Sequence, residues 1–138
     1  MKTMVKVYIA GPLCEEDERK FLEKLDKVIT DLGFETFLPH RDCGLYGGDE
    51  TKITIISKKD INEIHNCDLM VGNLNGIFVG AGTAWEMGYA QALNKKVIGL
   101  KTDRKLKKSI SEISVIIAGA VHIVESISEL KKELKKLI

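Results

Sequence analysis

Apolar residues in this chain switch repeatedly between a strand-like and a helix-like period, and that alternation constrains the fold more than any other feature. Val5 to Ala10 is a β-branched run stopped by Gly11-Pro12, the pattern of a buried strand closed by a turn. Over 15–32, Phe21, Leu22, Leu25, Val28, Ile29 and Leu32 recur at helical spacing. Glu15, Glu16, Asp17 and Glu18 suit the positive end of that helix, and Gly33 suits its C-terminal cap. Phe34–Leu38 reads as a second strand closed by Pro39; a polar, glycine-containing loop and a helix over roughly 52–65 follow. Leu69–Asn73 is a third strand, and a glycine-rich loop then opens a helix running to about Leu93. Lys96–Leu100, a helical stretch near 106–118 and a short strand around Val121–Val124 complete the alternation. Ser126-Ile-Ser-Glu129 has the form of a capping box for a last helix, which Ile127, Leu130, Leu134 and Leu137 would dock.

Strands alternating with helices imply a parallel sheet covered on both faces. Right-handed crossovers then make the expected fold α/β, a flavodoxin-like or Rossmann-like three-layer sandwich with about five parallel strands. At 138 residues the chain has the length of one domain, expected to span 1–138. Ligands of such sheets bind at the carboxyl ends of the strands, so the loops after the first three strands are the ones to search.

Composition narrows the function classes. Lys plus Arg total 21 and Asp plus Glu total 20, a net charge of +1, so no basic excess points to nucleic acid. The lysine-rich stretches at 101–108 and 131–136 read as solvated surface. No apolar run approaches the roughly 20 residues that cross a bilayer, and the N-terminal stretch is too short and charged for a signal peptide. Cys14, Cys43 and Cys67 are odd in number and widely spaced, which suits a reducing compartment, and a cytoplasmic location is expected. His40, His65 and His122 show no metal-ligand spacing, so no metal site is expected.

Three features place chemistry at the expected sheet edge. Tyr8 precedes Gly11 at the end of the first strand: a hydroxyl on a rigid element, beside a glycine through which a ligand could approach the backbone. A packed tyrosine before an ordinary turn is the plainer alternative. Gly80-Ala-Gly82-Thr83-Ala-Trp85-Glu86 is a glycine-rich loop opening a helix, with N–H groups available to a polar ligand and Glu86 about one turn in. The helix dipole would favour an ionised, nucleophilic Glu86, or the residue would merely satisfy that dipole. It is no dinucleotide fingerprint, because Trp85 stands where a third glycine is required. Asp60 is the third feature. At about 100° per residue it falls roughly 20° from Ile53, inside the stripe of Ile53, Ile56, Ile61 and Ile64. A carboxyl on an apolar face would carry a raised pKa, as a general acid requires; alternatively the helix starts later, with Ser57 as N-cap and Asp60 in its first turn.

These phrases together resemble the nucleoside 2-deoxyribosyltransferase family. The resemblance rests on Tyr8-Ile-Ala-Gly-Pro-Leu, Leu38-Pro-His-Arg-Asp42, Asp60 followed by Asn66-Cys-Asp68, Gly82-Thr-Ala-Trp-Glu86-Met-Gly88-Tyr-Ala90 and Lys95-Lys-Val-Ile-Gly-Leu-Lys-Thr-Asp103, in that order. It also extends to the related 2′-deoxynucleoside 5′-phosphate N-hydrolases. The resemblance implies that Glu86 attacks C1′ of the deoxyribose, that Asp60 protonates or hydrogen-bonds the departing base, and that Tyr8 orients Glu86. It further implies a base pocket lined by His40 and Asp42, substrate contacts from Gly11, Gly80, Gly82 and Thr83, and no cofactor. The substrate would be a small deoxynucleoside or deoxynucleotide. The segment Ser114-Val-Ile-Ile-Ala-Gly119-Ala120 resembles one that completes a neighbour's pocket, implying a homo-oligomer with shared sites to which Ser114 contributes.

The chain departs from the transferase pattern at two positions: Gly80 stands six residues before Glu86, where an aspartate is usual, and His40 replaces a glutamine. The first removes a sugar-hydroxyl contact, and the second bears on base preference. Two function classes therefore frame the expectation. The leading one is deoxyribosyl transfer between bases through a covalent Glu86 intermediate, with 5′-monophosphate hydrolysis as its alternative. The other is a catalytically silent nucleotide-binding module; against it, the chain has no P-loop and no acidic cluster ending the first strand.

Overall fold

A computed structural model describes residues 4–138. Five strands form one parallel sheet: β1 (Lys6–Ala10), β2 (Glu35–Phe37), β3 (Leu69–Asn73), β4 (Lys96–Leu100) and β5 (His122–Val124), in the spatial order β2-β1-β3-β4-β5. Strand direction never reverses, and the crossover changes side between β1 and β3, the switch point of a flavodoxin-like sheet. Among the described residues the seven helices are α1 (Glu16–Asp31), α2 (Pro39–Asp42), α3 (Thr51–Asn66), α4 (Ala81–Ala92), α5 (Leu106–Ile113), α6 (Val115–Ala120) and α7 (Ile127–Lys135).

Period-2 alternation in the strands divides the core into two layers. Val7, Ile9, Leu69, Val71, Ile98 and Leu100 face α1 and α7, whose Leu22, Leu25, Ile29, Leu130 and Leu134 are buried against them. Tyr8, Ala10, Met70 and Val97 point the other way and meet Ile64 of α3, Met87 and Ala90 of α4, and Ile113 of α5. Buried on both faces, the central strands carry near-continuous apolar sequence, as parallel sheets require. Gly33 closes α1 with φ +100, and Ser126 Oγ accepts the Glu129 N–H at 3.0 Å to cap α7, both as the sequence suggests. Glu129 itself reaches the N–H of Glu125, one residue before the cap.

Three local expectations are corrected. The segment after β2 is not all loop: Pro39, with its fixed φ and missing N–H, opens the one-turn helix α2. The stretch 106–118 is not one helix. It breaks at Ser114, where φ is +91, and α6 starts afresh. Helix α3 begins at Thr51, so Ser57 is no cap; its Oγ bonds back to the Thr54 carbonyl, and Asp60 lies mid-helix. The isoleucine stripe is only partly inside. Ile64 is buried, Ile56 and Ile61 are half-buried, and Ile53 is exposed along with the rest of the first turn of α3.

Candidate active site

Close packing of α4 on β3 sets the geometry of the site. A Cβ at Gly72 would stand 2.7 Å from Met87 Sδ, so glycine is what allows Met87 to lie directly on the strand. Glu86, its neighbour on the helix, is thereby brought over β1. There the hydroxyl of Tyr8, on the same face of the sheet and wholly buried, donates a hydrogen bond to Glu86 Oε2. Burial, before the nearby Glu86 and Asp60 charges, pushes the Tyr8 phenol far up, so it remains a donor throughout the physiological range.

Asp60 and Glu86 line one cleft of about 310 Å³, together with Leu13, Ser57, Ile61, Ile64, Gly82 and Trp85. Three elements supply it: the loop after β1, the cleft-facing side of α3, and the first turns of α4. Desolvation raises the Glu86 carboxyl to about 7; the Tyr8 bond opposes that rise and the Asp60 charge adds to it. The helix dipole expected to keep Glu86 ionised is thus outweighed by burial. Asp60 is likewise raised by desolvation, against the lowering effects of a Cys43 hydrogen bond and Lys59. Two carboxyls with elevated proton affinity and unequal surroundings share an apolar cleft, an arrangement suited to an acid and a nucleophile in one site.

The other residues singled out by sequence are distributed more widely. Gly82 lines the cleft and has open space where a Cβ would be, while Gly80 is the N-cap of α4 and Thr83 is buried in its first turn. Gly11 also has a packing role: a Cβ there would meet Leu22 Cδ2 at 2.7 Å and Asn73 Cβ at 3.0 Å. His40 and Asp42 are not among the residues lining the cleft. The His40 side chain is almost buried beside Glu23 of α1, 3.6 Å from Nε2 to Oε1, too long for a hydrogen bond. Asp42 accepts the Leu38 N–H and the Arg41 guanidinium, which holds its carboxyl below the usual range. Ser114 lies on the opposite flank of α4 from Glu86, in a groove of about 590 Å³ bounded by Ala84, Gly88 and Gln91.

Sequence reasoning missed two participants. Cys43 donates from Sγ to Asp60 Oδ1 at 3.1 Å; its place directly after Asp42 is the only signal it offered. Lys101, wholly buried, pairs with Asp103 at 2.9 Å and donates to the carbonyls of Leu74 and Gly76. With Arg104, which also bonds the Gly76 carbonyl, it pins the loop leading to Gly80 and α4. The lysine-rich stretch read as solvated surface thus begins with a buried lysine paired to an exposed aspartate. Among the described residues no cluster of side chains could hold a metal, and no helix is long and apolar enough to cross a membrane.

No curated protein matches this chain in sequence. Solved structures do. A 2-deoxyribosyltransferase from the psychrotolerant bacterium Bacillus psychrosaccharolyticus is 26% identical with a TM-score of 0.78, covering 92% of this chain and 90% of the other. The CMP N-glycosidase of Clostridium botulinum is also 26% identical, with a TM-score of 0.59 over 96% of this chain and 97% of its own. A Leishmania mexicana 2-deoxyribosyltransferase, at 24% identity and TM-score 0.59 over 80% and 75% of the two chains, shares the fold. The sequence profile of the nucleoside 2-deoxyribosyltransferase family matches residues 7–129, from the strand bearing Tyr8 through the cap of the last helix, and the chain belongs to that family.

Proposed function

We propose that this protein cleaves the N-glycosidic bond of 2′-deoxynucleosides and transfers the deoxyribose to a second base. The observation that carries the reading is the Tyr8–Glu86 hydrogen bond in a cleft shared with Asp60. Glu86, ionised, attacks C1′; the C1′–N bond breaks, its electron pair stays on the base nitrogen, and Asp60 supplies the proton there. A deoxyribosyl ester of Glu86 results. An incoming base nitrogen displaces that ester, releasing the Glu86 carboxylate, and the proton it sheds returns to Asp60. A 2-deoxy sugar supports an oxocarbenium-like transition state, which a carboxylate at C1′ both stabilises and captures. No step needs a metal or an organic cofactor.

A second reading, hydrolysis of 5′-monophosphates, draws on Gly80. No carboxylate there would repel a phosphate, and the first N–H groups of α4 have no side-chain cap. The similarity to a CMP N-glycosidase points the same way. Acidic Glu16, Asp17 and Glu18 in the first turn of α1, just beyond Leu13 of the cleft, oppose it.

The apolar groove on the other flank of α4 fits a second copy of the chain. Phe78, Val115 and Ile116 are each more than 70% exposed around it, a patch that water disfavours. A homo-oligomer assembled there would place Ser114 at the interface. All three cysteines are free, which fits a cytoplasmic enzyme.

The test is release of free base from deoxynucleosides and their 5′-monophosphates, with and without an acceptor base, in wild type and Glu86→Ala. Acceptor-stimulated turnover of the free nucleoside that is lost in Glu86→Ala supports transfer. Preference for the monophosphate, without acceptor effect, supports the hydrolase reading. Undiminished turnover in Glu86→Ala would sink both.

A further inference from the structure

We propose that Cys43 is a positioning residue for Asp60, its thiol holding one carboxyl oxygen so that the other carries the proton destined for the leaving base. The inference rests on the role proposed above for Asp60. Cys43 closes the one-turn helix α2, its N–H bonded to the Pro39 carbonyl, and its half-buried Sγ lies 3.1 Å from Asp60 Oδ1. Burial first, and the Asp60 contact second, push the thiol up to about 12, so it remains S–H and serves as a donor. With Oδ1 occupied by that bond, Oδ2 is the oxygen left to bear a proton.

A second link makes the geometry specific. Lys59 Nζ donates to the Asp42 carbonyl at 2.6 Å, so adjacent residues of α3 grip the last residue of α2 and its C-cap. Lys59 does so on the exposed side and Asp60 on the cleft side. Each carboxyl of the site then has its own neutral donor: Tyr8 for Glu86, Cys43 for Asp60. The charged and titratable groups around the thiol are Asp60 and Lys59 on α3, Asp42 on α2 and Tyr8 on β1, with Glu86 of α4 beyond Tyr8. Among these only Cys43 donates a hydrogen bond to the Asp60 carboxylate, and that bond lowers its proton affinity.

The experiment follows the Asp60 carboxyl carbon by NMR against pH, without substrate, in wild type, Cys43→Ala and Cys43→Ser, alongside pH profiles of kcat/KM for base release. Cys43→Ala should move the Asp60 titration to higher pH. It should lower kcat roughly three- to tenfold, the effect of one neutral hydrogen bond, with little change in KM. Cys43→Ser keeps an O–H donor and should restore most of both. An Asp60 titration unmoved by Cys43→Ala, or serine and alanine variants that behave alike, would overturn the inference. Because the carboxyl titration needs no substrate, it is judged separately from the catalytic role of Asp60, which Asp60→Asn turnover tests.

Discussion

The Tyr8 hydroxyl on β1 donates to Glu86 Oε2 on α4, joining a sheet residue and a helix residue 78 positions apart in sequence. The bond lowers the proton affinity of a carboxyl that burial raises to about 7. Glu86 must be ionised to attack, so kcat/KM should rise with pH up to about 7. Tyr8→Phe removes the lowering contribution and keeps the desolvation. Its acid limb should therefore move to higher pH, with activity at neutral pH reduced and partly recovered in alkali. An acid limb that stays in place would show that Glu86 is not the group titrating.

The same burial predicts a stability effect. A carboxyl whose folded pKa is raised favours the folded state below its unfolded pKa and loses that contribution as pH rises through the folded value. The rise from 4.5 to about 7 places that loss between about pH 4.5 and 7, with charged Glu86 a burden above it. Glu86→Gln keeps the shape and an acceptor for Tyr8 without the charge. It should be more stable than wild type at pH 8, by up to about 3 kcal/mol, and indistinguishable from it near pH 4. Thermal unfolding of both proteins across that range would reveal a gap that opens with pH, and a constant gap would refute the account.

Gly72 links packing to chemistry. An added methyl would press on Met87 Sδ at 2.7 Å and Cγ at 3.3 Å. Gly72→Ala should cost about 1–3 kcal/mol as the methionine is displaced, and lower kcat further as Glu86 shifts from Tyr8. Met87→Leu in the same background shortens the opposing side chain and should recover part of both. Recovery of stability without kcat would show that helix placement does not set the Glu86 geometry.

Much of this was legible in the chain. Element order and the parallel sheet followed from periodicity, since β1, β3 and β4 are buried on both faces and must be apolar. Glu86 and Asp60 were visible as acidic residues in apolar or small-residue surroundings. The Cys43 bond was not visible, because a free thiol has no sequence period and its partner is 17 residues away on another helix. The apolar spacing near 106–118 concealed the break at Ser114, because α5 and α6 both carry apolar residues at helical intervals. At Gly11 a glycine required by Leu22 and one required by a ligand look the same in sequence.

Ser114 carries the last prediction. Its φ of +91 with ψ 137 is a conformation that side chains other than glycine rarely adopt, with a cost on the order of 1–3 kcal/mol. Nothing inside the chain explains a serine there, since its hydroxyl makes no hydrogen bond with the described residues and glycine would be easier. In the proposed oligomer the hydroxyl would lie at the subunit interface, available to a partner's site. Ser114→Gly should therefore raise the melting temperature by a few degrees yet lower kcat/KM, whereas Ser114→Ala should lower kcat/KM without gaining stability. Mixing Ser114→Gly with Glu86→Ala under conditions that exchange subunits should restore activity. One site of each mixed pair would then combine an intact Glu86 with an intact Ser114 from the partner. A Ser114→Gly protein that is more stable and fully active would show that the strain serves no catalytic end, and mixtures no more active than their components would mean that sites are not shared.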